Sequence, residues 1–297
     1  MSLKILQYGT TGQLSRELLR QAADHDVRLT ALSRAEADLA DPEAAARHVR
    51  AAKPDLVILA AAYTAVDQAE SEPGLAHEIN GEAPAAIAAA CAAEGAALAH
   101  ISTDYVFDGA KGAPYFEDDA TAPLNVYGAS KLSGEQMALA ASPRTAVLRT
   151  SWVVSAHGKN FVKTMLRIGR EGQPLKVVDD QFGRPTAAAD LAGFLLAQAP
   201  RWAKAEAGDP AFGVFHFANA GETSWRGFAE AILEMALGPA APPVAAIATA
   251  DRPSPAQRPL RSTMDTAKLE RTFGVRLRPW REPLAEILAE LAEPQAA

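Results

Sequence analysis

Tyr127 and Lys131 stand four residues apart in the run Tyr-Gly-Ala-Ser-Lys. On a helix that spacing puts both side chains on one face. An ammonium beside a phenol favours the phenolate and draws the Tyr pKa down from about 10 towards neutrality. A tyrosine tuned in this way gives a proton to a carbonyl oxygen and takes one back. The pair alone does not identify a site, because a half-buried Tyr beside a solvated Lys is the ordinary case. Its setting adds weight. The apolar run Ala96–Ile101 reads as a strand and ends in Ser102-Thr103-Asp104, three small polar groups where a parallel strand opens onto a ligand crevice.

The preceding sequence supplies elements that can position such a pair. Leu3–Tyr8 reads as a strand, Gly9-Thr10-Thr11-Gly12-Gln13-Leu14-Ser15 as a turn, and Gln13 to Ala23 as a helix. A strand, a glycine turn and a helix N-terminus make a diphosphate cradle, because the backbone approaches closely and free N–H groups face the anion. Ser15 stands where a third glycine is usual. Val27–Ser33 reads as the second strand, with Arg34 next. An acid at that strand end holds a ribose 2′-hydroxyl, whereas Arg34 suits a 2′-phosphate, so NADPH is expected over NADH. Asp41-Pro42 signals a helix start. Pro54–Ala62 is continuously apolar, as befits a central strand covered on both faces. A helix over Glu82–Glu94 and a strand over Ala146–Thr150 continue the alternation, which predicts an α/β fold with a Rossmann-type, doubly wound parallel sheet.

After Trp152 the pattern loosens. Helices are expected over Gly158–Ile168, Ala188–Gln198, Trp225–Leu237, Lys268–Phe273 and Leu284–Leu291, with short strands over Val214–Ala218 and Val244–Ala248. Asp179–Thr186 reads as a polar loop. The expected division is a cofactor-binding domain over roughly 1–150 plus 186–200, and a smaller α+β substrate-binding domain over roughly 151–185 and 201–297.

Composition narrows the partners. The chain has 297 residues, 48% hydrophobic and 22% charged, enough for a sizeable core. Its net charge of −7 and the lack of a basic run argue against nucleic acid. No apolar run is long enough to span a bilayer, so no membrane partner is expected. A single cysteine, Cys91, excludes an intrachain disulfide and points to a reducing compartment. The first residues lead directly into a strand rather than a secretory signal, so a cytoplasmic location is expected. Cys91 itself reads as a small core residue.

Taken together, several motifs resemble those of the extended short-chain dehydrogenase/reductase family. They are Gly9-Thr10-Thr11-Gly12-Gln13-Leu14, Ala60 through Asp67, Ser102 through Phe107, Pro123 through Gly128 with Lys131, Gly134-Glu135, Arg149 through Trp152, Asn160-Phe161, and Asp179, Gln181, Gly183, Pro185 and Thr186. The resemblance covers nearly the whole chain. It implies a reductase in which NADPH, with NADH as the alternative, delivers hydride to C4 of a nucleotide-linked 4-keto-6-deoxysugar. It makes Tyr127 the general acid, Lys131 the ribose ligand that lowers the Tyr127 pKa, and Thr103 the hydroxyl on the reacting oxygen. It places Gly9, Gly12, Gln13, Leu14, Ser33, Arg34, Asp38, Leu39, Ala62, Tyr63 and Thr64 against the cofactor. It places Thr103, Asp104, Trp152, Val66, Asn160 and Arg258 against the substrate.

Departures from the family pattern are Ser15, Val154 in place of an aromatic, and Arg261 in place of an asparagine. Some members hold magnesium at a dimer interface through glutamates. Asp190 stands near one such position, so no metal ligand is carried over; magnesium and a homodimer are left open. Two other readings compete. A 4,6-dehydratase needs Asp-Glu after the Thr, and here Tyr105 follows Asp104. A non-catalytic NADP-binding regulatory subunit would keep the fold without turnover; Thr103, Tyr127 and Lys131 together favour the enzyme.

Overall fold

A computed structural model describes residues 2–293. In chain order, β1 (Leu3–Tyr8), α1 (Gln13–Gln21), β2 (Val27–Leu32), α2 (Pro42–Ala52) and β3 (Leu56–Leu59) make the first half of a wound sheet. Two short helices follow, α3 (Val66–Ala69) and α4 (Pro73–His77). A π turn over Glu78–Glu82 joins α4 to α5 (Ala83–Glu94), so this helical stretch begins earlier than expected. Next come β4 (Ala97–Thr103), α6 (Val126–Ala141), β5 (Thr145–Thr150), β6 (Val153–Val154), α7 (Phe161–Arg170) and β7 (Leu175–Val178). The remainder is β8 (Phe182–Gly183), β9 (Thr186–Ala187), α8 (Ala188–Lys204), β10 (Gly213–His216), β11 (Thr223–Ser224), α9 (Trp225–Leu237), β12 (Val244–Ile247), α10 (Ala267–Phe273) and α11 (Arg281–Ala292).

Six strands form one parallel sheet in the order β10-β5-β4-β3-β1-β2. All four residues of β3 are buried, because helices cover both sheet faces. On one face Leu14, Leu18, Leu191, Leu195 and Phe273 pack against Ile5, Leu56 and Ile58. On the other, Val49, Ile87, Ala88 and Cys91 pack against Leu6, Val57 and Leu98. Cys91 is a buried core residue, its thiol pushed up to about 12 by burial. The strand order reverses between β1 and β3, and a crevice at that switch point is where such sheets bind ligands.

The structure differs from expectation at several points. The strand near Val214 is the sixth strand of the large sheet, paired with β5, and not part of the smaller unit. α10 also packs on the large sheet through Leu269 and Phe273. Helix α8 continues past Gln198, with Pro200 inside it. An internal proline costs about 3 kcal/mol, but the extra turn buries Trp202 completely and lets its indole Nε1 donate to the Ala211 carbonyl at 2.9 Å. The expected polar loop at 179–186 contains the two-residue strands β8 and β9. A separate aromatic and aliphatic core, including Phe228, Ile232, Trp280 and Leu284, holds the smaller unit together. No described helix is long and apolar enough to cross a membrane.

Candidate active site

The glycine turn meets the geometry of a cradle. Gly9 has φ +99°, and a Cβ there would lie 2.9 Å from the Ser15 hydroxyl and 3.1 Å from the Ala61 Cβ. Glycine is therefore required twice over, by the backbone angle and by space. Ser15 fills the room that a third glycine would leave. Gly12 caps α1 without a side-chain bond, so first-turn N–H groups remain available to an anion. A cleft of about 650 Å³ runs from this turn across the ends of β1, β2 and β3. Its walls include Gly9, Gly12, Ser33, Arg34, Asp38, Leu39, Ala62, Tyr63 and Thr64. Arg34 is largely exposed, with Nε 3.3 Å from the Asp38 carboxylate. Ser33 donates through both backbone N–H and hydroxyl to Glu36, which holds that carboxyl below its usual range. The Tyr63 hydroxyl donates to Glu72 at 2.6 Å, and its backbone is bonded in both directions to the Asn80 amide.

An adjoining cavity of about 330 Å³ shares Thr11, Gly12, Ala60–Ala62 and Thr64 with the cleft and contains Tyr127 and Lys131. Both side chains come from α6, whose first turn is capped by Asn125 accepting from the Gly128 N–H at 2.7 Å. Thr103 closes β4 nearby, and its hydroxyl donates to the Asp104 carboxylate at 3.2 Å. The expected direct effect of Lys131 on Tyr127 is not what the geometry gives. The Lys131 ammonium donates at 2.6 Å to the Ile101 carbonyl. Burial pushes its pKa down to about 8, opposed by the charge of Glu135 one turn further on. The Tyr127 phenol is pushed up to about 12, chiefly by burial, with the nearby Thr103 hydroxyl opposing and the charge of Asp104 adding to the rise. Enclosure is thus the largest influence at both groups, against the charge of Glu135 at Lys131 and together with that of Asp104 at Tyr127.

Several expected substrate residues are committed to other partners. Asp104 is buried and receives the hydroxyls of Ser262 and Thr103 (the latter at 3.2 Å); burial raises it to about 7. It ties the end of β4 to the C-terminal segment rather than facing open space. Asn160 caps α7 through the Lys163 N–H and donates to Gln13 at 2.9 Å and to the Ser155 and His157 carbonyls. Its amide is saturated by structure. Gln13 also receives the Ser155 hydroxyl and donates to the Val153 carbonyl, so it clasps the glycine turn to the following unit while lining the second cavity with Leu14. Trp152 holds φ +46°, unusual for a bulky residue, and stacks on Trp225 with ring centroids 3.6 Å apart. Gly183 makes room for it, since a Cβ there would lie 2.6 Å from the indole. Val66 opens α3 and lines none of these cavities. Asp190, expected near a metal position, is held by Asn219 and bidentately by Arg278.

A third cavity, of about 250 Å³, lies between the two units. It is walled by Asp67, Tyr105, Phe161, Val177, Gln181, Trp225, Thr249, Arg252 and Arg258. Of these, sequence reasoning gave a site role to Arg258 alone; Asp67, Tyr105, Phe161 and Gln181 stood only as motif residues, and Trp225 and Arg252 were not singled out. Trp225 looked like part of an apolar helix face. Nothing in spacing relates residue 67 to residues 252 and 258.

A parallel Rossmann-type sheet with a glycine cradle and a Tyr–Lys couple at its carboxyl edge defines an oxidoreductase of the NAD(P)-binding class. Over residues 3–293 the chain belongs to the family described as RmlD substrate binding domain. It is 46% identical over 286 residues to the dTDP-4-dehydrorhamnose reductase of Burkholderia thailandensis, covering 94% of this chain and 96% of that protein. Its fold is similar to the crystal structure of a dTDP-4-dehydrorhamnose reductase from Clostridium acetobutylicum, with TM-score 0.90, 36% identity, and coverage of 98% of this chain and 100% of that one. The corresponding Bacillus anthracis enzyme, solved in complex with NADP, matches with TM-score 0.90 and 33% identity over 98% of this chain and 100% of its own.

Proposed function

We propose that this chain reduces the C4 keto group of dTDP-4-dehydrorhamnose to give dTDP-L-rhamnose, using NADPH. The observation that carries the reading is the junction of the two larger cavities, where Tyr127 and Lys131 meet the glycine-turn cleft. The cradle at Gly9 and the free first turn of α1 fit a dinucleotide diphosphate. Arg34 at the end of β2 supports NADPH, since a guanidinium recognises a 2′-phosphate. When bound, the cofactor supplies the hydride.

The chain's own residues do the rest. Tyr127, which keeps its proton at neutral pH, protonates the oxygen that gains charge as the carbonyl is reduced. Thr103, at the end of β4, supplies a hydroxyl for the reacting oxygen. Lys131 supplies the positive charge of the pocket and a donor for the cofactor ribose. The third cavity, with two guanidiniums and aromatic walls, takes the nucleotide end of the substrate. The 151–185 segment and most of the chain beyond 216 act as the substrate-binding unit, with β10 and α10 serving the cofactor domain. Family membership over nearly the whole chain supports the substrate choice. The test is NADPH oxidation with dTDP-4-dehydrorhamnose and identification of the sugar product. Tight NADPH binding without turnover would sink the reading.

A further inference from the structure

Asp67 is the second residue of α3, just after the segment that lines the cofactor cleft. Its carboxylate reaches across the third cavity to the loop 252–258. Oδ2 accepts from Arg258 Nη2 at 3.0 Å, and Oδ1 accepts from the Ala256 N–H at 3.3 Å. Arg258 Nη1 also donates to the Ser254 hydroxyl at 2.6 Å and to the Ala256 carbonyl at 3.2 Å. The same loop is fastened a second time, where Asn125, the cap of α6, donates to the Gln257 carbonyl at 2.7 Å. The pair with Arg258 holds Asp67 below the usual carboxylate range, so it is ionised at neutral pH.

An ion pair this exposed adds little to stability. It does restrict a side chain that would otherwise occupy many rotamers. We propose that Asp67 is a positioning residue for the substrate: it aims the Arg258 guanidinium into the third cavity, so that the diphosphate of a nucleotide sugar meets a fixed donor. A fixed donor raises affinity because its ordering cost is already met on folding. The inference rests on Arg258 as a substrate residue. The opposite role, a stand-in anion that the substrate displaces, predicts tighter binding when Asp67 loses its charge.

The test uses the full chain with saturating NADP⁺, titrated calorimetrically with dTDP, and steady-state kinetics with dTDP-4-dehydrorhamnose. The variants are Asp67→Asn, Arg258→Gln and the double substitution. Asparagine keeps the size and the acceptor for the Ala256 N–H, so the loop stays seated. The expected result for Asp67→Asn is roughly tenfold weaker dTDP binding, within the range of couplings between contacting groups. KM should rise more than kcat falls, and NADPH affinity should hold. The double variant should bind no worse than Arg258→Gln alone. Binding within twofold of the parent, tighter binding, or additive losses in the double variant would overturn the proposal. If Arg258→Gln itself leaves dTDP binding intact, the assignment of Arg258 to the substrate fails, and the inference goes with it. A loss with Arg258→Gln but none with Asp67→Asn sinks the inference alone.

Discussion

Replacing Lys131 with methionine should stabilise the fold at neutral pH while damaging the site. Lys131 is 2% exposed, and burial lowers its pKa from 10.5 to about 8. Below pH 8 the lysine is charged in both the folded and the unfolded chain. The displacement corresponds to a cost of about 3 kcal/mol for keeping that charge inside the fold. Methionine has similar length and helix propensity and carries no charge. It forfeits the bond to the Ile101 carbonyl, worth about 1 kcal/mol net. The variant should therefore be more stable than the parent by roughly 2 kcal/mol at pH 7.

The sign reverses with pH. Between about 8 and 10.5 the folded parent has released the Lys131 proton while its unfolded chain still holds one. The unfolded state then binds more protons, so parental stability rises with pH through this window. The variant lacks that rise. Its advantage should shrink and vanish by about pH 10, where the lost hydrogen bond leaves it level or slightly behind. Urea unfolding midpoints of both proteins at pH 7 and pH 10 read this directly, because other titrating groups cancel in the difference. A variant less stable than the parent at pH 7, or a gap that does not change between the two pH values, would refute the burial argument. Gained stability with lost cofactor affinity is the trade-off expected where a site keeps a charge inside the fold for function.

Three further outcomes follow from the same geometry. Tyr127→Phe should lower kcat by about 10²–10⁴-fold, the usual worth of general acid catalysis, with NADPH affinity within a few-fold by fluorescence titration; near-parental turnover would remove Tyr127 from the chemistry. Arg34→Asp should shift the ratio of NADPH to NADH affinity towards NADH, and an unchanged ratio would make Arg34 a solvated side chain. Gly9→Ala should cost about 1–2 kcal/mol from backbone strain at φ +99° and weaken cofactor binding, and adding Ser15→Gly should recover part of the loss by removing the 2.9 Å contact but not the strain; full recovery would show that crowding alone matters.

The parts of the chain legible in sequence are those whose signal is local. β1, β3 and β4 are short apolar runs, and the turn after β1 carries Gly9 at the position where the backbone needs φ above zero. β10 was visible as a strand, but its neighbour β5 lies more than sixty residues away, and a four-residue strand carries no mark of the sheet it will join. The same limit governs the third cavity, where Asp67 and Arg258 meet across 191 residues. Motif resemblance named the polar residues near the chemistry, but not the partners that satisfy them. Asn160 and Asp104 look alike in sequence as groups ready for a ligand. In the fold one is spent on capping α7 and holding Gln13, the other on Ser262 and Thr103. A buried polar group must be paired whatever else it does, so a residue near a site has two possible employers. Lys131 illustrates how the balance is struck: reading charge alone predicts a depressed Tyr127, whereas the near-complete burial of Lys131 and the enclosure of the phenol move both groups towards their neutral forms. The protonation of both groups is thus set by enclosure and not by the spacing that first drew attention to the pair.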